Sequence, residues 1–452
     1  MKEKTKGLLD RDINFNYWRE DTEGFLTNFL VIIALSFPVI ELIAVMCGHN
    51  HIFMAPLLRI FGVVGFVILL AIFFNNKNHS FCISDFFLLL SVLFTVISVV
   101  FSKSKLITFT GAAENHSEDP FQVLGYFVIF FMATHIASYD NRKKLIIAIL
   151  IVAVLNNIPA ILQHLQLWPF EVMAEEPFNP AFGLTLHFNF YGAISVMFSA
   201  ISGMVFMMKK TKHIIAWYVA ALLCFVAAMF SGSRLTWVGL VASFGFVIVL
   251  ELYYKLKGIE SILSVKRYAL LVISFAIICA LLIVFDDIIV SQIVETTKEL
   301  ESGDVTQMGT GRMNMWLVGL ESIKDYPLTG VGLDNFVYCY ELHPEYDHGW
   351  IGYKAHNEYL QVFVTQGVLA GVNYIVMCLY TVLFGIKTFI CEDEDSKNKA
   401  IAYILVIMIV GYFCQAFFNN SATNISPYKW LVMGLILTRC KQKEMKRDGH
   451  EG

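Results

Sequence analysis

Long apolar stretches separated by short polar connections dominate the pattern of this chain. The stretches recur at lengths of about 18–22 residues, the length that a helix needs to cross a hydrocarbon core of about 30 Å. Twelve runs are predicted as helices, over Asn28–Met46, Met54–Phe74, Phe81–Phe101, Phe121–Ser138, Leu145–Gln163, Phe188–Met208, Ile214–Phe230, Leu235–Tyr254, Tyr268–Phe285, Tyr359–Ile390, Ala400–Phe418 and Ser426–Thr438. The tenth run is too long for one span, so we expect its first turns, Tyr359–Gly367, to lie at the membrane interface. The pattern predicts an all-α polytopic membrane protein with about twelve transmembrane helices.

One long polar segment interrupts the pattern before the third-last span. It divides the chain into residues 1–285 with nine helices, a partly helical loop at 286–358, and residues 359–452 with three helices and a tail. Transporters and channels rarely need so long a structured loop that carries arginine and histidine. An enzyme that works at a membrane surface does.

Composition and charge agree with this architecture. Hydrophobic residues make up 57% of the 452 residues and charged residues 15%, whereas a soluble domain carries about a quarter charged residues. Most Lys and Arg residues fall in inner connections if the N-terminus is inside, so we expect both termini to be cytoplasmic and the long loop to be extracytoplasmic. We expect no cleavable signal peptide. The nine scattered cysteines indicate neither a disulfide framework nor a zinc site.

Arg234 is the first candidate site residue. It follows Ser231-Gly232-Ser233 at the outward start of the eighth span, where Ser233 is a plausible N-cap. Free backbone N–H groups and the helix dipole favour an anion there, whereas a cation opposes the dipole by about 0.3–1 kcal/mol. A bound phosphate would remove this conflict. The alternative is an arginine that snorkels to the lipid headgroups.

Arg312 repeats this arrangement inside the loop. Thr310 is predicted to cap a helix from about Arg312 to Ile323, whose apolar face is formed by Met313, Trp316, Leu317 and Leu320. Two arginines at two helix starts on one membrane face suit a diphosphate, because a guanidinium binds phosphate oxygens with paired hydrogen bonds. The alternative for Arg312 is a solvated loop arginine.

His356 is the candidate general base. It precedes Asn357, a predicted cap of the helix that leads into the tenth span, and imidazole accepts protons near neutral pH. A lone surface histidine is more often without a catalytic role, and His343 and His348 in the same loop precede no helix start. Loop carboxylates such as Asp334 and Asp347 either bind sugar hydroxyls or are simply solvated, and the outer motifs contain no acidic pair that suits a divalent metal.

Three motifs together resemble the O-antigen ligase and O-antigen polymerase family. They are Ser231-Gly232-Ser233-Arg234, then Gly311-Arg312, Trp316, Pro327, Gly330-Val331-Gly332 and Phe336, and finally His356-Asn357-Glu358-Tyr359-Leu360-Gln361 with Gly367. Each motif is weak alone, but the three in this order, with a large outer loop before the third-last span, are fairly specific.

The resemblance implies a metal-independent, usually inverting membrane glycosyltransferase without a cofactor. Such an enzyme takes a glycan from undecaprenyl diphosphate at the outer leaflet and transfers it to a lipid-linked glycan or another terminal acceptor. By position, Arg234 and Arg312 match the arginines that hold the diphosphate, and His356 matches the residue that activates the acceptor hydroxyl. The implied partners are donor, acceptor and membrane lipid, and no nucleic acid.

Two other classes of function stay open. A lipid-linked oligosaccharide flippase or polysaccharide transporter predicts paired charges at mid-membrane depth and halves of similar hydropathy, and the sequence shows no internal repeat. A scaffold that only binds glycan predicts that the three candidate residues are replaceable. Glu41, in the first span, is either an intramembrane functional group or a buried, protonated acid.

Overall fold

The chain forms a bundle of helices with one polar loop assembly. The structure, a computed structural model, describes residues 15–48, 53–75, 81–111, 118–170, 180–185, 187–301, 303, 306, 309, 311–347, 351–390 and 396–438, with the side chains of the first helix described from Thr22. Within these residues the helices are α1 (Phe15–Met46), α2 (Met54–Asn75), α3 (Ile83–Val100), α4 (Lys105–Thr110), α5 (Pro120–Thr134), α6 (Tyr139–His164), α7 (Phe188–Met207), α8 (Ile214–Phe230), α9 (Arg234–Lys257), α10 (Val265–Phe285), α11 (Ile288–Glu301), α12 (Arg312–Asp325), α13 (Tyr338–Leu342), α14 (Glu358–Gln366), α15 (Val368–Ile390), α16 (Ser396–Ala416) and α17 (Ser426–Ile436).

Every predicted apolar run is helical, and the all-α polytopic class is confirmed. In the part of the chain described, nine helices are long and apolar enough to cross a membrane. The other three predicted spans are shorter: α5 has 15 residues, α8 has 17 and α17 has 11. Because a helix rises 1.5 Å per residue, α17 is only about 16 Å long and is too short to cross a hydrocarbon core. The twelve predicted runs thus correspond to nine long helices and three shorter ones.

The helices differ strongly in how much of their surface the protein covers. Of the most apolar 18 residues of each helix, 94% are buried in α7 and 83% in α16, but only 17% in α2 and 11% in α10. Helices α7 and α16 pack against each other, and both pack against α9. Apolar side chains on the outer faces of α2 and α10 are exposed, as expected where helices face lipid rather than protein.

Small residues let the central helices approach closely. A Cβ atom at Gly411 in α16 would lie 2.9 Å from the carbonyl oxygen of Gly239 in α9 and 2.0 Å from Ser243 Oγ. The two backbones therefore meet where neither glycine can be enlarged without moving a helix. Close contacts of this kind, together with hydrogen bonds between helices, hold membrane bundles together in the absence of a hydrophobic driving force.

Polar residues inside the bundle make hydrogen bonds to neighbouring segments. Asn156 Oδ1 in α6 accepts from the Leu184 N–H at 3.2 Å, and Asn157 Oδ1 accepts from the Tyr191 hydroxyl of α7 at 2.8 Å. Glu41 is fully buried in α1, as both interpretations of this residue require.

The predicted loop at 286–358 is partly helical, since it contains α11, α12, α13 and a short 3-10 helix at Pro344–Tyr346. The long tenth run is also divided as expected. It breaks at Gly367 into the short helix α14 and the long helix α15, and the glycine backbone there has φ 92°. The loop thus forms a folded assembly around α12 and α14, which pack against each other.

Candidate functional site

Arg234 begins α9, and Ser233 is its N-cap residue, as predicted. The Ser233 hydroxyl does not cap the helix; it donates to Asn189 Oδ1 of α7 at 2.6 Å. The Arg234 guanidinium donates to Thr296 Oγ1 at 2.9 Å and to Glu299 Oε1 at 3.0 Å, and its side chain is 23% exposed. Arg234 therefore contacts the loop assembly instead of extending along the helix surface.

Helix α11 connects Arg234 to the segment that precedes Arg312. While one oxygen of Glu299 binds Arg234, its second oxygen, Oε2, accepts from the Gly309 N–H at 3.0 Å. Gly309 in turn lies against the Arg312 side chain, since a Cβ atom added there would be 3.6 Å from Arg312 Cβ. One carboxylate thus holds together the surroundings of both predicted arginines.

Arg312 is the first residue of α12, which ends at Asp325, two residues beyond the predicted end. The N-cap residue is Gly311, with φ 78° and no side-chain cap; the predicted cap, Thr310, lies outside the described residues. Burial and the positive charge of Arg234 lower the pKa of the Arg312 guanidinium to about 10, although Glu299 and Glu295 oppose this shift. The two guanidinium groups therefore lie close enough for their charges to repel each other, and negative charges nearby reduce this repulsion.

The predicted apolar face of α12 was wrong. The buried residues are Asn314, Met315, Val318, Gly319 and Ser322, whereas Leu320 is 51% exposed. The reason is the packing on α14: a Cβ atom at Gly319 would lie 3.1 Å from Val364 Cγ2, so the small residue faces the partner helix. Trp316 is half-buried and packs against Phe417 and Phe418 after α16.

His356 lies directly before α14, with its backbone in the left-handed region at φ 48°. Asn357 caps the helix as predicted, because its side chain accepts from the N–H groups of Tyr359 at 3.1 Å and Leu360 at 3.0 Å. The turn is fixed further by Gln361 Oε1, which accepts from the Ala355 N–H at 2.8 Å. The sharp turn thus holds His356 at a defined helix start, and its proximity to the two arginines stays a prediction.

The glycine motif of the loop packs on the end of α14. The N–H groups of Val331 and Gly332 donate to the carbonyls of Val364 at 2.9 Å and Thr365 at 3.1 Å. Gly332 has φ 113°, and a Cβ atom there would lie 2.4 Å from Ser102 Oγ. The motif is required because the loop backbone passes closely between α14 and the connection after α3.

A buried ion pair beside this turn was missed. Glu358, the first residue of α14, accepts from Lys429 Nζ of α17, and the two side chains are 4% and 2% exposed. The hydroxyls of Tyr374 and Tyr412 also donate to the Glu358 carboxylate. A lysine within the predicted twelfth run was the available signal, because a charge in an apolar helix requires a partner.

A second buried pair lies close by. Lys354 Nζ donates to Glu118 Oε2 at 3.0 Å and to the Ser421 carbonyl at 3.2 Å, while Tyr126 donates to Glu118 Oε1 at 2.9 Å. Burial alone would raise the pKa of the Glu118 carboxyl, but Lys354, Ser421 and the more distant Lys429 outweigh it and lower this pKa. Glu118 was not identified from the sequence, since an acidic residue in a polar connection carries no distinctive pattern.

Other titratable residues of the loop have local partners. His343 Nε2 lies 2.8 Å from Asp325 Oδ2, and Asp286 Oδ2 lies 2.7 Å from His164 Nε2. His348 and the acidic run at 392–395, which is predicted to be cytoplasmic, lie outside the described residues. Within the described residues, the structure contains no group of three or more His, Cys, Asp or Glu side chains that suits a metal ion; metal independence stays a prediction.

These features define a class: a multi-pass helical membrane protein with a folded polar loop, in which Arg234 and Arg312 each begin a helix. Residues 219–375 match the model of the O-antigen ligase family. The predicted resemblance is therefore confirmed over residues 219–375, about a third of the chain. This match, together with the exopolysaccharide relative described next, supports a membrane enzyme of polysaccharide biosynthesis. Arg234, Arg312, His356 and Glu358 fall inside the matched segment.

Two relatives extend this result. An uncharacterized protein of Haemophilus influenzae is 23% identical over 429 residues, which cover 90% of this chain and 98% of the relative. The exopolysaccharide production protein ExoQ of Rhizobium meliloti is 29% identical over 113 residues, which cover 24% of this chain and 26% of ExoQ. The first similarity extends over nearly the whole chain and the second over about a quarter of it.

Proposed function

We propose that the protein transfers a glycan from undecaprenyl diphosphate to a hydroxyl of a glycan or other terminal acceptor at the outer face of the cytoplasmic membrane. The observation that carries this proposal is the pair of arginines at two helix starts, joined through Glu299. The O-antigen ligase match and the name of ExoQ, a protein of exopolysaccharide production, support it.

In this mechanism the arginines bind the leaving group. The bond between the anomeric carbon and the diphosphate oxygen breaks, and the diphosphate keeps the electron pair. The negative charge on this oxygen grows in the transition state, so Arg234 and Arg312 stabilise the transition state more than the ground state. The diphosphate replaces Glu299 as the anion on Arg234, or shares the guanidinium with it.

His356 activates the acceptor. Its imidazole takes the proton from the acceptor hydroxyl as the oxygen forms the new bond to the anomeric carbon. Attack on the face opposite the leaving diphosphate inverts the configuration. The charge of the leaving group is balanced by two guanidinium groups, so the reaction needs no divalent metal.

The experiment is a transfer assay with the purified protein, an undecaprenyl-diphosphate-linked glycan and an acceptor. Wild-type protein transfers glycan in the presence of a chelator. The variant His356→Ala binds the donor as wild type does but turns over about 10²–10⁴-fold more slowly, the usual contribution of a positioned general base. A requirement for added metal, or full turnover of the His356 variant, contradicts the mechanism.

The acceptor class is assigned by the glycan profile of a deletion strain. A polymerase leaves single repeat units and no long chains when it is deleted. A ligase leaves long chains on undecaprenyl diphosphate. Both outcomes agree with the chemistry above, whereas an unchanged profile contradicts it.

The transporter alternative predicts paired charges at mid-membrane depth. The structure does bury two ion pairs, but Lys354 and Glu118 lie in polar connections and Glu358 begins α14. At these helix ends the pairs are adjacent to the loop assembly, which favours a structural or substrate-binding role over a path across the bundle.

A further inference from the structure

A cavity of about 80 Å³ lies between α3, α5, α14, α15 and α17. At about 10–15 Å³ for each water, it has room for about five to eight water molecules, comparable to one sugar ring. Its walls include the aromatic side chains of Tyr126, Tyr374 and Trp430 as well as several polar groups. Apolar and aromatic walls with a few converging polar groups are typical of small-molecule binding sites.

Helix α14 connects this cavity to the proposed base. Glu358, Gln361 and Thr365 line the cavity and are spaced i, i+3 and i+7, so they share one face of the helix. The same helix begins two residues after His356, and Gln361 holds the backbone of Ala355 by a hydrogen bond of 2.8 Å. A ligand in the cavity would therefore lie close to the turn that carries the base.

The charges of the cavity restrict its ligand. Three carboxylates line it, from Glu118, Asp334 and Glu358, while the lining ammonium of Lys429 is paired with Glu358 and Lys354 holds Glu118. A phosphate or a uronate would bring another negative charge against these carboxylates, and like-charge contacts oppose binding. Hydroxyl groups, in contrast, donate hydrogen bonds to carboxylates.

Asp334 lies in a buried turn at the wall of the cavity. It is 4% exposed and its backbone lies in the left-handed region at φ 60°. The next residue fixes this turn, because Asn335 Nδ2 donates to Ser102 Oγ at 3.0 Å and to Thr108 Oγ1 at 2.8 Å. Uncommon backbone conformations that the surrounding structure supports are concentrated at binding sites.

We propose that this cavity binds a neutral sugar residue of the acceptor, with Asp334 accepting a hydrogen bond from a sugar hydroxyl. The proposal rests on the proposed glycosyl transfer and identifies the part of the protein that recognises the acceptor. The donor diphosphate binds separately, at Arg234 and Arg312.

The first experiment measures the acceptor KM and the donor affinity of Asp334→Asn. Asparagine keeps the size and tolerates the left-handed backbone, but the hydrogen bond loses its charge, so the acceptor KM rises about five- to tenfold. Donor affinity stays at the wild-type level, which also reports a folded protein. The matched control is Asp287→Asn, at an exposed carboxylate outside the cavity, and it changes neither value.

A second variant tests the cavity without changing a charge. Ala370 lines the wall, and Ala370→Leu fills part of the space, so it raises the acceptor KM and leaves donor affinity unchanged. An unchanged acceptor KM in both variants overturns the proposal.

A binding measurement separates this proposal from the proposed function. Methyl glycosides of neutral hexoses and a methyl glucuronide are titrated against the purified full chain without donor, with detection by saturation-transfer NMR. We expect at least one neutral glycoside to bind to wild type and more weakly to Asp334→Asn, and the glucuronide not to bind. If wild type binds the neutral glycoside but transfers no glycan, the proposed transferase function is refuted and the cavity assignment is not. If the glycoside does not bind, or binds equally well to Asp334→Asn, the cavity assignment is refuted.

Discussion

The buried pair Glu358–Lys429 predicts a large and specific stability effect. Lys429 Nζ binds the Glu358 carboxylate and lies 3.1 Å from the Tyr374 hydroxyl, and both charged side chains are at least 96% buried. The change Lys429→Met keeps the length of the side chain and removes the charge. It leaves an uncompensated carboxylate in the interior, which costs about 3–5 kcal/mol.

The double variant Glu358→Gln/Lys429→Met shows whether a single variant is destabilised by the lost attraction or by the unpaired charge that remains. Glu358→Gln alone strands the ammonium and is similarly destabilising. In the double variant both charges are gone, while the tyrosine hydroxyls can still donate to the glutamine oxygen. We therefore expect the free energy of unfolding of the double variant to lie within about 1–2 kcal/mol of the wild-type value, which corresponds to a coupling energy of several kcal/mol between the two residues.

The assay is unfolding of the detergent-solubilised protein by heat and denaturant for all four members of the cycle. The matched control is the exposed pair Lys209–Glu260, with N–O distance 3.1 Å and side chains 46% and 89% exposed. Glu260→Gln changes stability by less than about 1 kcal/mol. A double variant as unstable as Lys429→Met, or a single variant as stable as the control, refutes the reasoning.

Three further predictions concern the loop assembly. Glu299→Gln removes the anion that occupies Arg234, so the affinity for the lipid diphosphate rises about two- to tenfold, measured by titration of the purified protein; weaker binding contradicts this. Gly332→Ala places a Cβ atom 2.4 Å from Ser102 Oγ, so we expect it to lower the free energy of unfolding by more than about 2 kcal/mol, measured by thermal unfolding. The control is Gly303→Ala, which is also at positive φ but in open space and lowers the free energy of unfolding by about 1 kcal/mol. Because the pKa of Glu118 is lowered, its charged form adds stability that is fully present above the ordinary pKa of 4.5 and is lost as the pH falls below that value. At pH values below about 4.5, the melting temperature of wild type therefore decreases, and that of Glu118→Gln decreases less. Equal acid sensitivity of both proteins would refute the role of this pair.

Much of the architecture was readable from the sequence because periodic signals are local. Long apolar runs predict helices by themselves. The N-cap positions of Ser233 and Asn357 could be predicted because they depend only on residues next to the helix start. The lengths of the individual helices were not readable in the same way. The run over α17 is apolar throughout, but only eleven of its residues are helical, and all eleven are buried against other helices.

The site was only partly predictable for a similar reason. A positively charged arginine at a helix start is opposed by the positive end of the helix dipole, and this local feature identified Arg234 and Arg312 as candidates. Glu299 and Glu118 act through partners 65 and 236 residues away in sequence, and no local pattern encodes such a pairing. The face of α12 was wrong because its burial is set by α14, which lies beyond the range of helical periodicity.

The central claim is that Arg234 and Arg312 together bind a lipid-linked diphosphate. The most direct measurement compares the Kd values for undecaprenyl diphosphate and undecaprenyl monophosphate in wild type and Arg312→Lys, at fixed ionic strength. The account predicts that wild type prefers the diphosphate by about tenfold or more, and that the lysine variant loses most of this preference because it keeps the charge but not the planar fork. Equal affinity of wild type for the two lipids, or an unchanged preference in Arg312→Lys, would contradict it.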